Sequence, residues 1–497
     1  MTDRILFWLD ASLLNYCLSY YLEKKYPADY FAIVDITTRP KIFFQNQKLV
    51  DFKKVWFYYD HVGKKQEINI DYLRDFEKKY GINLWKFAIN ERLFYKYNQF
   101  HNFTKNEILS ILEQECKLFE SIIQEVKPNY LITPDSGLHH GNLFSEICRK
   151  HNTRVIMINI SKFGGGSYLS EKIHTIDNLH TLDNIQSKGR DLTTLQTSLK
   201  ESSLSTSLNN YTKETRSSKL ALCKAAFQLL FISNNQNIKT HYSYYGRTKL
   251  RVLANEISTR IKTKLRNRYL NKHSIYKIED EKFIYLPLHQ EPERSLLLDA
   301  PFYTNQIETI RNVSKAIPIE YTLYVKEHPT QGKARGWRPI SEYKEIMAIP
   351  NVKMIHHSIP SDELIQKSSL VISVGGTASF EAAFYEKPSI MFADLGYAIL
   401  PSIFKIKSFD DLTQTILKAL DTKINPIDLD KYLSVLEENT FDFDWIGFVL
   451  KCHKQFYYDG NLVDVEIDPS KMEKFLNDEK PILEKLADQY IKKFQIK

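Results

Sequence analysis

Cysteine is scarce in this chain of 497 residues. Cys17, Cys116, Cys148, Cys223 and Cys452 are odd in number and far apart. No two have the spacing of a metal-binding pair, so neither a disulfide framework nor a cysteine metal site is expected. Glycine (16) and proline (17) are also few, which argues against a loop-rich β-sandwich or a low-complexity chain. No run approaches the roughly 18 apolar residues of a membrane span. The first ten residues contain acids and lack the layout of a secretory signal. The simplest expectation is a reduced, cytoplasmic protein.

What is present is globular. Apolar residues make up 43% and aromatics 13%, ample surface to bury, so whole-chain disorder is excluded. A single core rarely grows past about 250–300 residues, so two domains are expected. The formal net charge is +8, and it is concentrated. Between Arg247 and Lys272 lie nine bases and one acid, Glu256, so the rest of the chain is neutral overall. The same stretch has apolar residues at Leu250, Leu253, Ile257, Ile261, Leu265 and Tyr269, at helical steps. A basic amphipathic helix fits an anionic membrane surface, where each base is worth about 1 kcal/mol. A helix packed on a domain with a solvated basic face fits too. Nucleic acid is not expected, because no recognised nucleic-acid module appears.

Hydrophobic patterning gives alternating strands and helices in two blocks. In the first, strands are expected at Ile5–Leu9, Phe31–Val34, Val55–Tyr59, Asn129–Thr133 and Arg154–Ile158. Helices are expected at Leu13–Lys24, Ile108–Val126 and Asn142–Lys150. Ser187–Ser218 is Ser/Thr/Asn/Lys-rich and reads as an exposed connector or mobile insertion. In the second block, strands are expected at Phe283–Leu288, Tyr321–Lys326, Val352–Ile355, Leu370–Val374 and Ser389–Phe392, with helices between them. Tail helices are expected at Leu412–Ala419, Tyr432–Glu438 and Lys471–Phe494. Such alternation implies parallel sheets covered on both faces. The fold class is α/β, with two Rossmann-like domains facing across a cleft and a helical basic insertion between them. The expected divisions are an acceptor-side domain (1–186), a connector with the basic helix (187–280), a nucleotide-sugar donor domain (281–425) and helices packing back on the first domain (426–497).

Three polar clusters follow strands of the second block, where ligands of open α/β sheets sit. In the first, His289, Glu291 and Glu293 can act as acid or base or hold sugar hydroxyls. In the second, Lys326 and His328 put cationic or donor groups at a strand end, followed by Gly332, Arg335 and Gly336. Either could neutralise the phosphate of a leaving nucleotide. In the third, Ser373, Gly375, Gly376 and Thr377 form a glycine turn before a helix whose N-terminus suits an anion. Glu381 is one turn further on, where a carboxylate can take two ribose hydroxyls.

Together these clusters resemble the donor-binding half of a GT-B glycosyltransferase. The nearest likeness is to the bacterial capsule polysaccharide biosynthesis transferases, which include the Kdo transferases of capsule assembly. The matching residues are Leu286-Pro-Leu-His289 with Pro292-Glu293, Val325-Lys-Glu-His-Pro329, Tyr343, Pro350-Asn-Val352, Ser361, Leu364-Ile365, Gly376-Thr-Ala378, Glu381-Ala382 and Lys387-Pro388. They span about residues 282–400. The resemblance implies that His328 contacts the donor phosphate, that Ser373, Gly376 and Thr377 hold the same phosphate, and that Glu381 binds the nucleotide ribose. It also implies a reaction needing no metal or other cofactor.

A GT-B transferase draws its base or nucleophile from the first domain. Strand-end candidates are Asp10, Asp60 with His61, and Asp135 with His139 and His140. The expected catalytic set is His328, Asp135, Glu291 and His289, with Asp10, His139 and Glu293 on the acceptor side. The expected activity is sugar transfer from a nucleotide sugar to a capsular or other surface glycan or glycolipid. A CMP-sugar such as CMP-Kdo comes first and a UDP-sugar next. The expected place of work is the cytoplasm, at the inner face of the membrane. Three alternatives stay open: a UDP-sugar 2-epimerase, a polyol-phosphate polymer transferase, and a non-catalytic membrane or nucleic-acid adaptor using the basic helix.

Overall fold

The computed structural model describes residues 2–64, 66–135, 137–177, 179–202, 219–233, 236–329, 331 and 338–496. Most of the Ser187–Ser218 connector, and Gly332, Arg335 and Gly336, lie outside the described residues. The first sheet contains β1 (Asp3–Leu9), β2 (Ala28–Val34), β3 (Lys54–Phe57), β4 (Tyr130–Ile132), β5 (Arg154–Ile160) and β6 (Ser167–Ser170). Its order is β3-β2-β1-β4-β5-β6, parallel except for β6. The second contains β7 (Phe283–Pro287), β8 (Thr322–Lys326), β9 (Val352–Ile355), β10 (Leu370–Ser373), β11 (Ser389–Met391) and β12 (Ile403–Lys405). Its order is β12-β11-β10-β7-β8-β9, all parallel. These are two Rossmann-like units.

The pleat of β1 explains how one strand serves two layers. Successive side chains point to opposite faces. Ile5, Phe7 and Leu9 join the helix Leu14–Lys25 and the tail residues Phe443–Phe494 in one core. Leu6 and Trp8 face the helix Lys105–Val126 on the other side. That helix carries the capping box formed by Thr104 and Glu107, which satisfies N–H groups at its start.

The tail divides between the domains. The helix Pro426–Asn439 places Leu429, Tyr432, Leu433 and Leu436 in the second-domain core. Helices Trp445–Phe456, Pro469–Asp478 and Lys480–Gln495 lie on the first, where the Tyr21 hydroxyl donates to the Leu476 carbonyl at 2.7 Å. The expected single helix Lys471–Phe494 is thus two. Pro481 lacks an N–H and belongs in a first turn, so it starts a helix rather than continuing one.

The helix Lys249–His273 is anchored at its C-terminal half. Leu270 is buried, and the buried Arg266 donates to the Gln331 carbonyl at 2.9 Å. One base of the helix therefore turns inward. The apolar stripe does not: Leu250 is 77% exposed, Ile257 62%, Ile261 54% and Leu265 55%.

Candidate active site

Each sheet reverses its strand order once, and ligands of such folds bind beyond the carboxyl ends at that point. In the second sheet the reversal lies between β7 and β10. His289 follows β7, Gly375 and Gly376 follow β10, and His328 follows the neighbouring β8. The three sequence clusters therefore converge on one crevice.

The crevice is organised around His289. The Gly375 N–H donates to His289 Nε2 at 3.0 Å, and His289 Nδ1 is 3.4 Å from Glu293 Oε2. Nε2 accepts, so the proton of the neutral ring sits on Nδ1, toward the carboxylate. The His289 N–H donates to Gln306 at 2.7 Å. The ring thus ties the β7 loop to the β10 loop. A Cβ on Gly376 would stand 3.3 Å from His289 Cε1, and one on Gly375 would stand 3.0 Å from Ala393 Cβ. These glycines make room for protein packing.

Other donors of the loop are already engaged. Ser373 Oγ is 2.7 Å from Ser379 Oγ and accepts from the Gly376 N–H at 3.3 Å. Ser373 therefore shapes the loop rather than presenting a spare hydroxyl. Thr377 sits at the N-cap position of the helix Ala378–Ala383 but makes no capping bond; its hydroxyl donates to Glu381 Oε1 at 2.9 Å. Burial, and then Asp362, raise the proton affinity of Glu381, against Thr377, Lys326 and Lys162. Lys326 donates to the Ile359 carbonyl at 2.5 Å and to Ser361 Oγ at 2.9 Å. Burial lowers its pKa to about 8, with Asp362 and Glu381 opposing. His328 is lowered chiefly by burial, while Glu293 and Glu327 push the other way.

Glu291 is not placed to exchange protons. It is 2% exposed and receives Arg338 at 3.1 Å, Gln306 at 2.7 Å, and Lys96 and Tyr97 at 3.0 Å each. Arg338 also reaches Glu327 at 2.9 Å and Glu342 at 3.0 Å. Burial alone would raise the Glu291 pKa, but Arg338 and Lys96 hold it below the ordinary value. This correction has a simple cause: a carboxylate among that many donors stays ionised and enclosed. Its role is to join the two domains, since Lys96 and Tyr97 come from the first.

Two more first-domain groups face the crevice. Asp135 pairs with Arg294, which also holds Asp299 at 2.7 Å. Asp135 therefore enters a bridge across the cleft; burial raises its pKa, and Arg294 and Lys162 lower it. Lys162, two residues beyond β5, feels the charges of Glu293, Asp135 and Glu381. It makes no hydrogen bond or ion pair among the described residues. Sequence reading missed it, although its place just before Gly164-Gly-Gly166 was a usable signal. Glu293 is held below its ordinary pKa by His289, His328 and Lys162 against burial. Its side chain is nonetheless 45% exposed, because it lines the open cleft.

The first sheet reverses between β1 and β4. Asp10 follows β1, Asp35 follows β2, and His140 opens the helix after β4. His139 is 0% exposed and does not reach this crevice. Its Nδ1 is 2.9 Å from Glu91 and its Nε2 3.0 Å from Glu115. Burial disfavours the charged ring, but Glu115 and Glu91 outweigh it and raise the pKa to about 10. With both nitrogens donating, the ring is an imidazolium without a lone pair for a metal. Glu115, His139 and His140 come close enough to frame a cation, yet both His139 nitrogens are taken by Glu91 and Glu115. Tyr58 and Tyr242 also bond Glu115. Tyr242 belongs to the connector, so the network ties that segment to the first domain.

Residues 195–400 match the family model for capsule polysaccharide biosynthesis proteins. The matched segment includes every donor-side residue of the crevice, in line with the sequence motifs, and the flanking first domain supplies the opposite wall. No curated protein matches the chain. Among solved structures, it is similar to the beta Kdo 2,7 transferase of Thermosulfurimonas dismutans KpsC, at 13% identity and a TM-score of 0.30 over 73% of this chain and 87% of that one. It is similar to the beta Kdo 2,4 transferase of the same protein, at 11% identity and a TM-score of 0.31 over 61% and 78%. It is also similar to the UDP-GlcNAc 2-epimerase of Methanocaldococcus jannaschii, at 12% identity and a TM-score of 0.23 over 88% and 99%.

Proposed function

We propose that this capsule-biosynthesis chain is a glycosyltransferase of GT-B architecture. It moves a sugar from a nucleotide sugar to a capsular or related surface glycan. The observation that carries this reading is the convergence of His289, His328, Lys326, the Gly375-Gly376 turn and Glu381 on one switch-point crevice. Glu381 is the ribose ligand. Lys326, His328 and the turn take the phosphate, whose charge grows as the sugar departs. Protein donors do this work without a metal ion. A CMP-sugar such as CMP-Kdo is the first donor to try and a UDP-sugar the second.

The experiment is a thermal-shift screen of CMP, UDP, GDP and CDP followed by transfer assays. Bound nucleotide raises the unfolding midpoint. His328→Ala and Glu381→Ala should each lower transfer at least about tenfold, and Glu381→Ala should also reduce the nucleotide shift. Wild-type shift and turnover in both variants would refute the assignment. Sugar isomerisation without an acceptor would point to the epimerase instead.

The enzyme works against an anionic membrane, held by the helix Lys249–His273. The exposed stripe Leu250, Ile257, Ile261 and Leu265 among the exposed bases Arg251, Arg260, Lys262, Lys264, Arg268 and Lys272 supports this reading. None of the described helices is long and apolar enough to cross a membrane. Co-sedimentation with phosphatidylglycerol vesicles but not phosphatidylcholine vesicles is the expected result; equal binding to both, or to neither, would sink it.

A further inference from the structure

We infer that Asp35, held by His140, takes the proton from the acceptor hydroxyl. The inference rests on the glycosyltransferase reading and deepens it. Two acids of the expected catalytic set are committed elsewhere: Asp135 to the Arg294 bridge, and Glu291 of the second domain to Arg338, Lys96 and Tyr97. The basic candidate His139 is enclosed between Glu91 and Glu115. What remains at the switch point of the first sheet is Asp10 and the Asp35–His140 pair.

Asp35 follows the last residue of β2, and its N–H donates to the Leu9 carbonyl at 2.8 Å. That bond fixes it beside Asp10. Its side chain is 12% exposed, while His140 behind it is 1% exposed. His140 Nε2 is 2.9 Å from Asp35 Oδ2. An ionised carboxylate only accepts, so Nε2–H donates. Nδ1 of the same ring is 3.1 Å from the Tyr242 hydroxyl, which lies 2.9 Å from that of Tyr58. Trp8 stacks on the ring at 5.5 Å. The imidazole is therefore clamped on every side and orients the carboxylate.

The surroundings suit a hydroxyl-bearing ligand. Tyr59, Tyr244 and His241 all feel the Asp35 charge, so the carboxylate sits among aromatic rings. Burial, with the neighbouring Asp35 charge adding to it, raises the proton affinity of Asp10 against the bonds from Ser12.

The step balances. The acceptor O–H bond breaks, its proton passes to an Asp35 oxygen, and its electron pair forms the new bond to the anomeric carbon of the nucleotide sugar. The bond from that carbon to the phosphate oxygen breaks, and its pair leaves with the nucleotide. Asp35 is the catalytic residue; His140 and Tyr242 are positioning residues.

The test uses the full chain, CMP-Kdo and UDP-glucose as donors, methyl glycosides as acceptors, and CMP and UDP as binding probes. Asp35→Asn should lower acceptor-dependent transfer about 100-fold or more, with the CMP or UDP shift as in wild type. His140→Gln, which keeps a donor toward Asp35, should lower kcat about tenfold with donor KM unchanged, and His140→Ala should lower it further. Transfer within threefold of wild type in Asp35→Asn, or a greater loss in Asp10→Asn than in Asp35→Asn, overturns the proposal. If Asp35→Asn does not fold, Tyr242→Phe removes one hydroxyl from the same chain of bonds; an unchanged kcat there overturns it equally. A wild-type chain that binds no nucleotide and transfers nothing brings down the glycosyltransferase reading, and this proposal with it.

Discussion

His139 shows how a buried side chain can hold charge. A lone imidazolium in a protein core would lose its proton, because burial penalises the charged form. Glu91 and Glu115 reverse that by accepting from both ring nitrogens. The folded pKa of about 10 stands above the value of about 6.5 for a free imidazole. The native state thus binds the proton more tightly than the unfolded chain does. Its stabilisation is complete below about pH 6.5 and is lost as pH rises through 10. The unfolding midpoint should therefore fall between pH 7 and pH 10, and His139→Gln should flatten that decline while lowering the midpoint at pH 7. A decline of equal slope in the variant would assign the pH effect to other groups. The sequence offered His139 and His140 as equals in one loop. Helical geometry separates them, sending one ring to Glu91 and Glu115 and the other to Asp35.

At the scale of an element, the helix Lys249–His273 has two environments along its length. Arg266 and Leu270 dock it, while the stripe from Leu250 to Leu265 stays in solvent. Exposed apolar side chains contribute little to folding, so replacing Leu250, Ile257 and Ile261 by serine should change stability by no more than about 0.5 kcal/mol each. The same triple variant should lose phosphatidylglycerol-vesicle binding. A large loss of stability would mean that the stripe packs on protein. The spacing of the stripe was legible in the sequence; its exposure was not, since the same pattern serves a helix packed on a domain. The short strands β6 and β12 were missed.

For the whole molecule, polar contacts join the two domains across the cleft. Lys96 and Tyr97 of the first domain reach Glu291 of the second, and Arg294 of the second reaches Asp135 of the first. Arg294→Ala would strand Asp135 and Asp299 near each other without their shared cation. Expected results are a larger radius of gyration in solution scattering and a less cooperative thermal transition; an unchanged profile in both would show that the bridge does not hold the domains. The sequence by itself determined the two strand–helix blocks, the donor-side clusters and the placement of the whole net charge. Those features are local: each depends on periodicity or on a residue following a strand. Only the tertiary structure decided which carboxylates are available. Glu291 and Asp135 looked as free as Asp10, and Asp35 went unremarked. Their partners come from distant segments (Arg338, Arg294 and His140), and the energetics of a buried charge are set by the groups that surround it in space.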